Sequence, residues 1–156
     1  MATDEEVAAL YQRKIRELSA RVRADRRIDT PQLSVTRRSK ICGSMVTLDF
    51  NFDGDRIERV GFRARACSLG MAATAILVDA GPGQNADQVA RAHQALASLL
   101  AGEPAEFDEH WQRLEILSAA IPFPARHNSV LLPFETAAEA FEELASSRAG
   151  RDQVTG

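Results

Sequence analysis

The stretch Val46-Thr47-Leu48-Asp49-Phe50-Asn51-Phe52-Asp53-Gly54, with residues 57–66 and Cys67 after it, decides how this chain folds. Val46, Leu48, Phe50 and Phe52 alternate with Thr47, Asp49 and Asn51, and a period of two is the mark of a half-buried strand. Asp53-Gly54 is a turn signal, so residues 57–66 return beside the first strand as a hairpin. Val60, Phe62, Ala64 and Ala66 share one face of the returning strand, while Arg59, Gly61, Arg63 and Arg65 share the other. Ile57 is apolar but out of phase with the apolar set, which predicts a bulge or a late strand start.

Working outward, the pattern changes at Cys67. Leu69, Met71, Ala72, Ala73, Ala75, Ile76, Leu77 and Val78 make a nearly all-apolar helix that must be buried on most sides, and Gly81-Pro82-Gly83 ends it. Asn85 and Gln88 form a capping box for a further helix carrying Val89, Leu96, Leu99 and Leu100, stopped near Gly102. Trp111, Leu114 and Leu117 mark a shorter helix. Ile121-Pro122-Phe123-Pro124 is a rigid loop, and Phe134, Ala137, Phe141 and Leu144 mark a last helix with Pro133 in its first turn. Upstream, Val7, Leu10, Tyr11, Ile15, Leu18 and Val22 recur at helical spacing, capped by Thr3 or Asp4. Thr30-Pro31 breaks helical structure and opens an extended stretch. One helix, two or three antiparallel strands, then about four helices is the α+β pattern. It predicts a single domain over residues 1–147 and a flexible tail over 148–156.

Composition narrows the function classes. The chain has 156 residues, a formal charge of −3, 45% hydrophobic and 26% charged residues, which suits one compact domain. No apolar run approaches the roughly 20 residues a membrane helix needs. Asp4, Glu5 and Glu6 at the start are wrong for a secretory signal, and only two cysteines, Cys42 and Cys67, suit a reducing compartment. A cytoplasmic protein is expected. Arginine and lysine crowd the first quarter, but Glu17, Asp25 and Asp29 are interleaved and no aromatic residue stands between Arg13 and Lys40, which argues against nucleic acid. Gly81-Pro82-Gly83 lacks the preceding strand of a phosphate loop, and no nucleophile elbow surrounds Gly70, so a hydrolase or oxidoreductase is disfavoured.

The chemistry therefore falls on sulfur. Cys67 stands where a strand meets a buried helix, and free N–H groups with the positive end of the helix dipole favour a thiolate there. Cys42 precedes the first hairpin strand, and hairpin geometry brings the start of one strand beside the end of the other. Cys42 and Cys67 are thus expected as neighbours. The bland alternative is two small buried hydrophobes. Two sulfurs do not complete a metal site, since zinc takes four ligands and clusters take several thiolates or imidazoles. His93 and His110 fall on helix positions that read as solvated. His127, in Pro124-Ala125-Arg126-His127-Asn128-Ser129, is the histidine available for recruitment as a metal ligand.

These motifs together resemble the NifU N-terminal, or IscU-type, scaffolds of iron–sulfur cluster assembly. Cys42-Gly43-Ser44 is similar to the family's Cys-Gly-Asp before a strand. Val60-Gly61-Phe62 through Ala66-Cys67 resembles its Gly-Phe-x-x-x-Gly-Cys. Phe123-Pro124-Ala125-Arg126-His127-Asn128-Ser129 looks like its Pro-Ala-Arg-x-x-Cys. The likeness runs from about Leu10 to Leu144, and the helical stretch over residues 85–117 resembles the longer, SufU-type branch. In that family three cysteines and an aspartate form the site. Cys42 and Cys67 match two of them, whereas Ser44 stands for the aspartate and Ser129 for the third cysteine. A serine hydroxyl stays protonated near neutral pH and is a poor ligand.

The resemblance implies a non-enzymatic protein that works with a cysteine desulfurase and other cluster-assembly proteins. Three roles are compatible with it. The first is a scaffold binding a cluster, or a single zinc or iron ion, through Cys42 and Cys67. The second is a SufE-like sulfur acceptor that needs no metal. The third is a partner-binding module that has lost the metal site and carries no cofactor.

Overall fold

The computed structural model describes residues 3–41 and 43–155. Helix α1 (Asp4–Arg21) opens on Thr3, whose hydroxyl accepts the Glu6 N–H at 3.1 Å. Strands β1 (Leu33–Arg38), β2 (Met45–Asp53) and β3 (Arg56–Arg65) form one antiparallel sheet in the order β1-β2-β3. The extended stretch after Pro31 is thus a full third strand, pairing Leu33 with Phe50 and Arg38 with Met45. The β2–β3 register shifts between Asn51 and Phe52, the bulge that the phase of Ile57 predicts.

Helix α2 (Ser68–Ala80) is buried without interruption from Leu69 to Leu77. Helix α3 (Ala86–Leu100) begins on the Asn85–Gln88 capping box. Residues Glu109–Ala120 form a 3-10 stretch rather than an α-helix, opened by Asp108 and anchored by the Trp111 indole donating to Gln84 at 2.9 Å. A short 3-10 turn, Pro124–Arg126, leads into α4 (His127–Thr155). Phe134 meets Trp111 at 5.8 Å and Phe52 meets Phe141 at 5.5 Å, which closes the core between sheet and helices.

One expectation is corrected at α4. Pro133 lies inside the helix, not in its first turn. The helix-starting proline is Pro124, whose fixed φ suits the 3-10 turn that carries straight into α4. Pro133 has no N–H, so the Ser129 carbonyl loses its partner in the i→i−4 ladder. The backbone is helical through Thr155, and Arg148 donates to the Gly54 carbonyl. Gly156 lies outside the described residues.

A second correction concerns β2, which is buried on both faces rather than one, with Thr47 at 6% and Asp49 at 0% exposure. The connection after α1 covers its second face. Arg26 exchanges backbone hydrogen bonds with Phe62 at 3.0 and 2.8 Å, and the chain then turns over Gly61 and its register partner Asp49. A Cβ on Gly61 would lie 2.8 Å from both the Arg26 carbonyl and the Ile28 nitrogen, so only glycine lets this strap lie flat. Beneath it, Asp49 accepts from Arg27 at 2.7 and 3.0 Å, from Ser34 at 2.7 Å and from the Ile28 N–H at 3.0 Å.

Candidate functional site

Three elements deliver side chains to one cleft. Strand β3 ends at Arg65, and Ala66-Cys67 leads into α2, with Cys67 as N-cap residue and no side chain capping the helix. Among the described residues its first-turn N–H groups therefore have no side-chain cap. Before β2, the Ser39 N–H donates to the Ser44 carbonyl at 2.8 Å and the Gly43 N–H to the Ser39 carbonyl at 3.1 Å. Gly43 adopts φ +73°, a left-handed turn that sets Ser44 inward. Ser129 comes from the first turn of α4.

At their meeting point Ser44 Oγ donates to Ser129 Oγ at 3.1 Å, and Cys67 Sγ to the same oxygen at 3.6 Å. Ser129 is 1% exposed and Ser44 5%, while Cys67 is half-buried. Gly70 makes the approach possible, because a Cβ there would fall 2.2 Å from Ser129 Oγ. The cleft above them encloses about 390 Å³, and Arg65 and Arg126 also line it. Arg65 is anchored on Asp25 at 2.9 Å and on the Ala64 carbonyl at 2.8 Å. Arg126 lies over the Phe123 ring at 5.4 Å and forms no ion pair among the described residues.

Cys67, Ser44 and Ser129, named from sequence, are thus brought together, although Ser44 and Ser129 lie 85 positions apart. Cys42 lies outside the described residues; its neighbours Gly43 and Ser44 border the cleft. His127 bonds through Nε2 to the Ala120 carbonyl at 2.8 Å and does not line the cleft. Of the other two histidines, His110 is exposed as its position suggests, whereas His93 is half-buried. His110 bonds to the Ala80 carbonyl at 2.6 Å. His93 packs on Phe134 at 6.0 Å, and burial, partly offset by Glu135, holds its imidazole below the usual range. No group of three or more His, Cys, Asp or Glu side chains among the described residues is placed to hold a metal ion.

Sequence reading missed the two arginines. Their signal was adjacency, since Arg65 stands two residues before Cys67 and Arg126 three before Ser129. The larger groove of the molecule, about 490 Å³ between α1 and the 3-10 stretch, is lined by Lys14, Glu17, Arg21 and Glu115 among others and offers no thiol or imidazole. Three of the ten basic residues between Arg13 and Lys40 are committed to ion pairs, Arg21 with Asp79, Arg27 with Asp49 and Arg37 with Glu135 and Glu139. No helix among the described residues is long and apolar enough to cross a membrane.

Comparison with known proteins places this geometry in context. Residues 10–128 match the NifU-like N terminal domain. The chain is 22% identical over 120 residues to the iron–sulfur cluster assembly scaffold protein IscU of Streptococcus pyogenes serotype M1, covering 77% of this chain and 76% of that protein. The crystal structure of a nitrogen-fixing NifU-like protein (N-terminal) from Brucella abortus superposes with a TM-score of 0.81 at 23% identity, over 90% of this chain and 97% of that one. A putative iron–sulfur cluster assembly scaffold protein for the SUF system from Fervidobacterium islandicum superposes with a TM-score of 0.68 at 25% identity, over 79% and 90%.

Proposed function

This chain belongs to the NifU-like N-terminal domain family of iron–sulfur cluster assembly scaffolds, and on that premise we propose that it serves cluster assembly by accepting sulfur on Cys67. The observation that carries the reading is the pair of neutral hydroxyls, Ser44 donating to Ser129, with the Ser129 oxygen also accepting from the Cys67 thiol. A cation site needs anionic donors, and two protonated hydroxyls supply none. Sulfur transfer needs one thiolate with room for an incoming sulfur. The half-buried Cys67, at the head of α2 and the wall of a cleft, has that room.

The step is an exchange at sulfur. The Cys67 thiolate attacks the terminal sulfur of a persulfide on a cysteine desulfurase. A new S–S bond forms at Cys67, the donor's S–S bond breaks, and the donor cysteine leaves as a thiolate. No external oxidant or reductant enters. Mass spectrometry after incubation with a desulfurase and cysteine is expected to show one added sulfur on Cys67 and none on Cys67→Ser. Equal labelling of the two proteins, or labelling of neither, overturns the assignment.

A second reading keeps the scaffold role, with Cys42 and Cys67 binding a cluster or a zinc or iron ion. The match of both cysteines to ligand positions of the resembled family favours it. Metal analysis of anaerobically purified protein separates the two. Stoichiometric metal lost in Cys42→Ser and Cys67→Ser supports the scaffold, and metal-free protein that still takes sulfur supports the acceptor.

A further inference from the structure

The cleft carries more than the thiol needs. Among the described residues every charged side chain lining it is cationic: Arg65 and Arg126 are present, and no aspartate or glutamate is. Ser129 Oγ accepts from both Ser44 and Cys67, and among the described residues no acceptor is found for its own proton. It is 1% exposed, so that O–H has the cleft as its remaining direction. The first-turn N–H groups of α2, uncapped by any side chain, add positive potential beside Cys67. The two arginines are held differently. Arg65 is occupied by Asp25 and fixed against Ala64, while Arg126 is stacked on Phe123 with its fork of donors unspent on any carboxylate among the described residues. A planar guanidinium positioned in this way suits bidentate capture of a carboxylate.

We propose that this cleft binds a small organic persulfide bearing a carboxylate, such as cysteine persulfide or glutathione persulfide, with the carboxylate on Arg126 and the terminal sulfur at Cys67. The inference rests on the assignment of Cys67 as a sulfur acceptor and adds a soluble donor to it. The volume of about 390 Å³ lies toward the small end of pockets that enclose small molecules, roughly 300–1,000 Å³. The chemistry balances as for a protein donor. The Cys67 thiolate takes the terminal sulfur, the donor's S–S bond breaks, and the small thiol departs as its thiolate and takes a proton from water. Arg126 is a positioning residue here, since it holds the carboxylate and not the reacting sulfur.

The test compares two donors on three proteins, with the persulfide at Cys67 read by mass spectrometry. Glutathione persulfide is one donor, and its dialkyl ester, with both carboxylates blocked, is the other. The proteins are the native chain, Arg126→Ala and Cys67→Ser. Arg126 is exposed, so its replacement leaves the fold intact. The expected result is that Arg126→Ala raises the concentration of glutathione persulfide giving half-maximal labelling about tenfold, a loss of about 1.4 kcal/mol, with the maximal rate little changed. The ester is expected to label the native and Arg126→Ala proteins alike. An identical concentration dependence for both proteins with the acidic donor overturns the proposal, as does an equal loss with the ester. Failure of Cys67 to take sulfur from a desulfurase overturns the underlying assignment instead, so the two failures are distinguishable.

Discussion

The chain holds two polar clusters on opposite sides of one hairpin, and they are built to different ends. Under the strap, Asp49 is a fully buried carboxylate with donors from Arg27, Ser34 and Ile28. At the far end of β2 and β3, the cleft has a thiol, two hydroxyls and two guanidiniums, and no carboxylate lines it. A buried carboxylate is tolerated only when its oxygens are fully met. Where the strap meets them, Asp49 acts as a staple. In the cleft the Ser44 hydroxyl donates to Ser129, and the arginines and the Ser129 O–H keep donor capacity for something from outside. Fold stability and chemistry are thereby assigned to separate polar groups.

The largest effect is expected from removing the contrast outright. The double substitution Ser44→Asp with Ser129→Cys puts an anionic donor pair into the cleft beside Cys67, restoring the residue types of the resembled ligand set. Zinc affinity, read by competition with a chromogenic chelator, is expected to rise at least hundredfold over the native chain, since a structural zinc site contributes on the order of 10 kcal/mol. Unchanged affinity would show that the two serines are not what limits metal binding.

Breaking the staple comes next. Asp49→Ala strands the Ile28 N–H and leaves Arg27 without its anion, and loss of one partner from a buried pair costs about 3–5 kcal/mol. Arg27 is 43% exposed and recovers water, so the lower end, about 3 kcal/mol in urea unfolding, is expected. The same residue sets an acid dependence. Burial pushes the Asp49 carboxyl up, but the hydrogen bonds from Arg27, Ser34 and the Ile28 N–H outweigh it and hold the group below its usual value. Its contribution is present above the unfolded value near 3.9 and is lost as pH falls through the folded value, so stability drops below about pH 4. Asp49→Asn is expected to flatten that drop, and an unchanged acid limb would remove Asp49 from the account.

Gly61→Ala tests the strap from beneath. Its Cβ would meet backbone atoms at 2.8 Å, and forcing them apart is expected to cost about 2 kcal/mol without altering sulfur uptake at Cys67. Equal stability in thermal melts would mean that the strap moves freely. Ser129→Ala is the mildest, expected to cost about 1 kcal/mol through the lost hydrogen bonds while slowing uptake of sulfur on Cys67. No change in either would reduce the hydroxyl pair to packing.

Much of this was legible before any coordinates. The alternation over residues 46–52, the bulge signalled by Ile57, the buried α2 and the Asn85 capping box all depend on neighbours within a few positions, where period and local hydrogen bonding leave little choice. The serines at Ser44 and Ser129 were legible too, as departures from a family pattern. The strap, the staple, the place of Pro133 and the two cleft arginines were not. Each depends on which distant segment arrives against it, as Ile28 does on Gly61, or α4 on Gly70.

The sequence by itself determined the α+β order of elements, which is written in short-range spacing, while Cys67, Ser44 and Ser129 were named through the family pattern. Only the tertiary structure decided that Asp49 is spent on stability and that arginines, not carboxylates, border the thiol. Charge placement is a property of three-dimensional proximity, and a chain that brings Arg126 and Cys67 to one cleft from 59 positions apart does so through packing that no local pattern encodes.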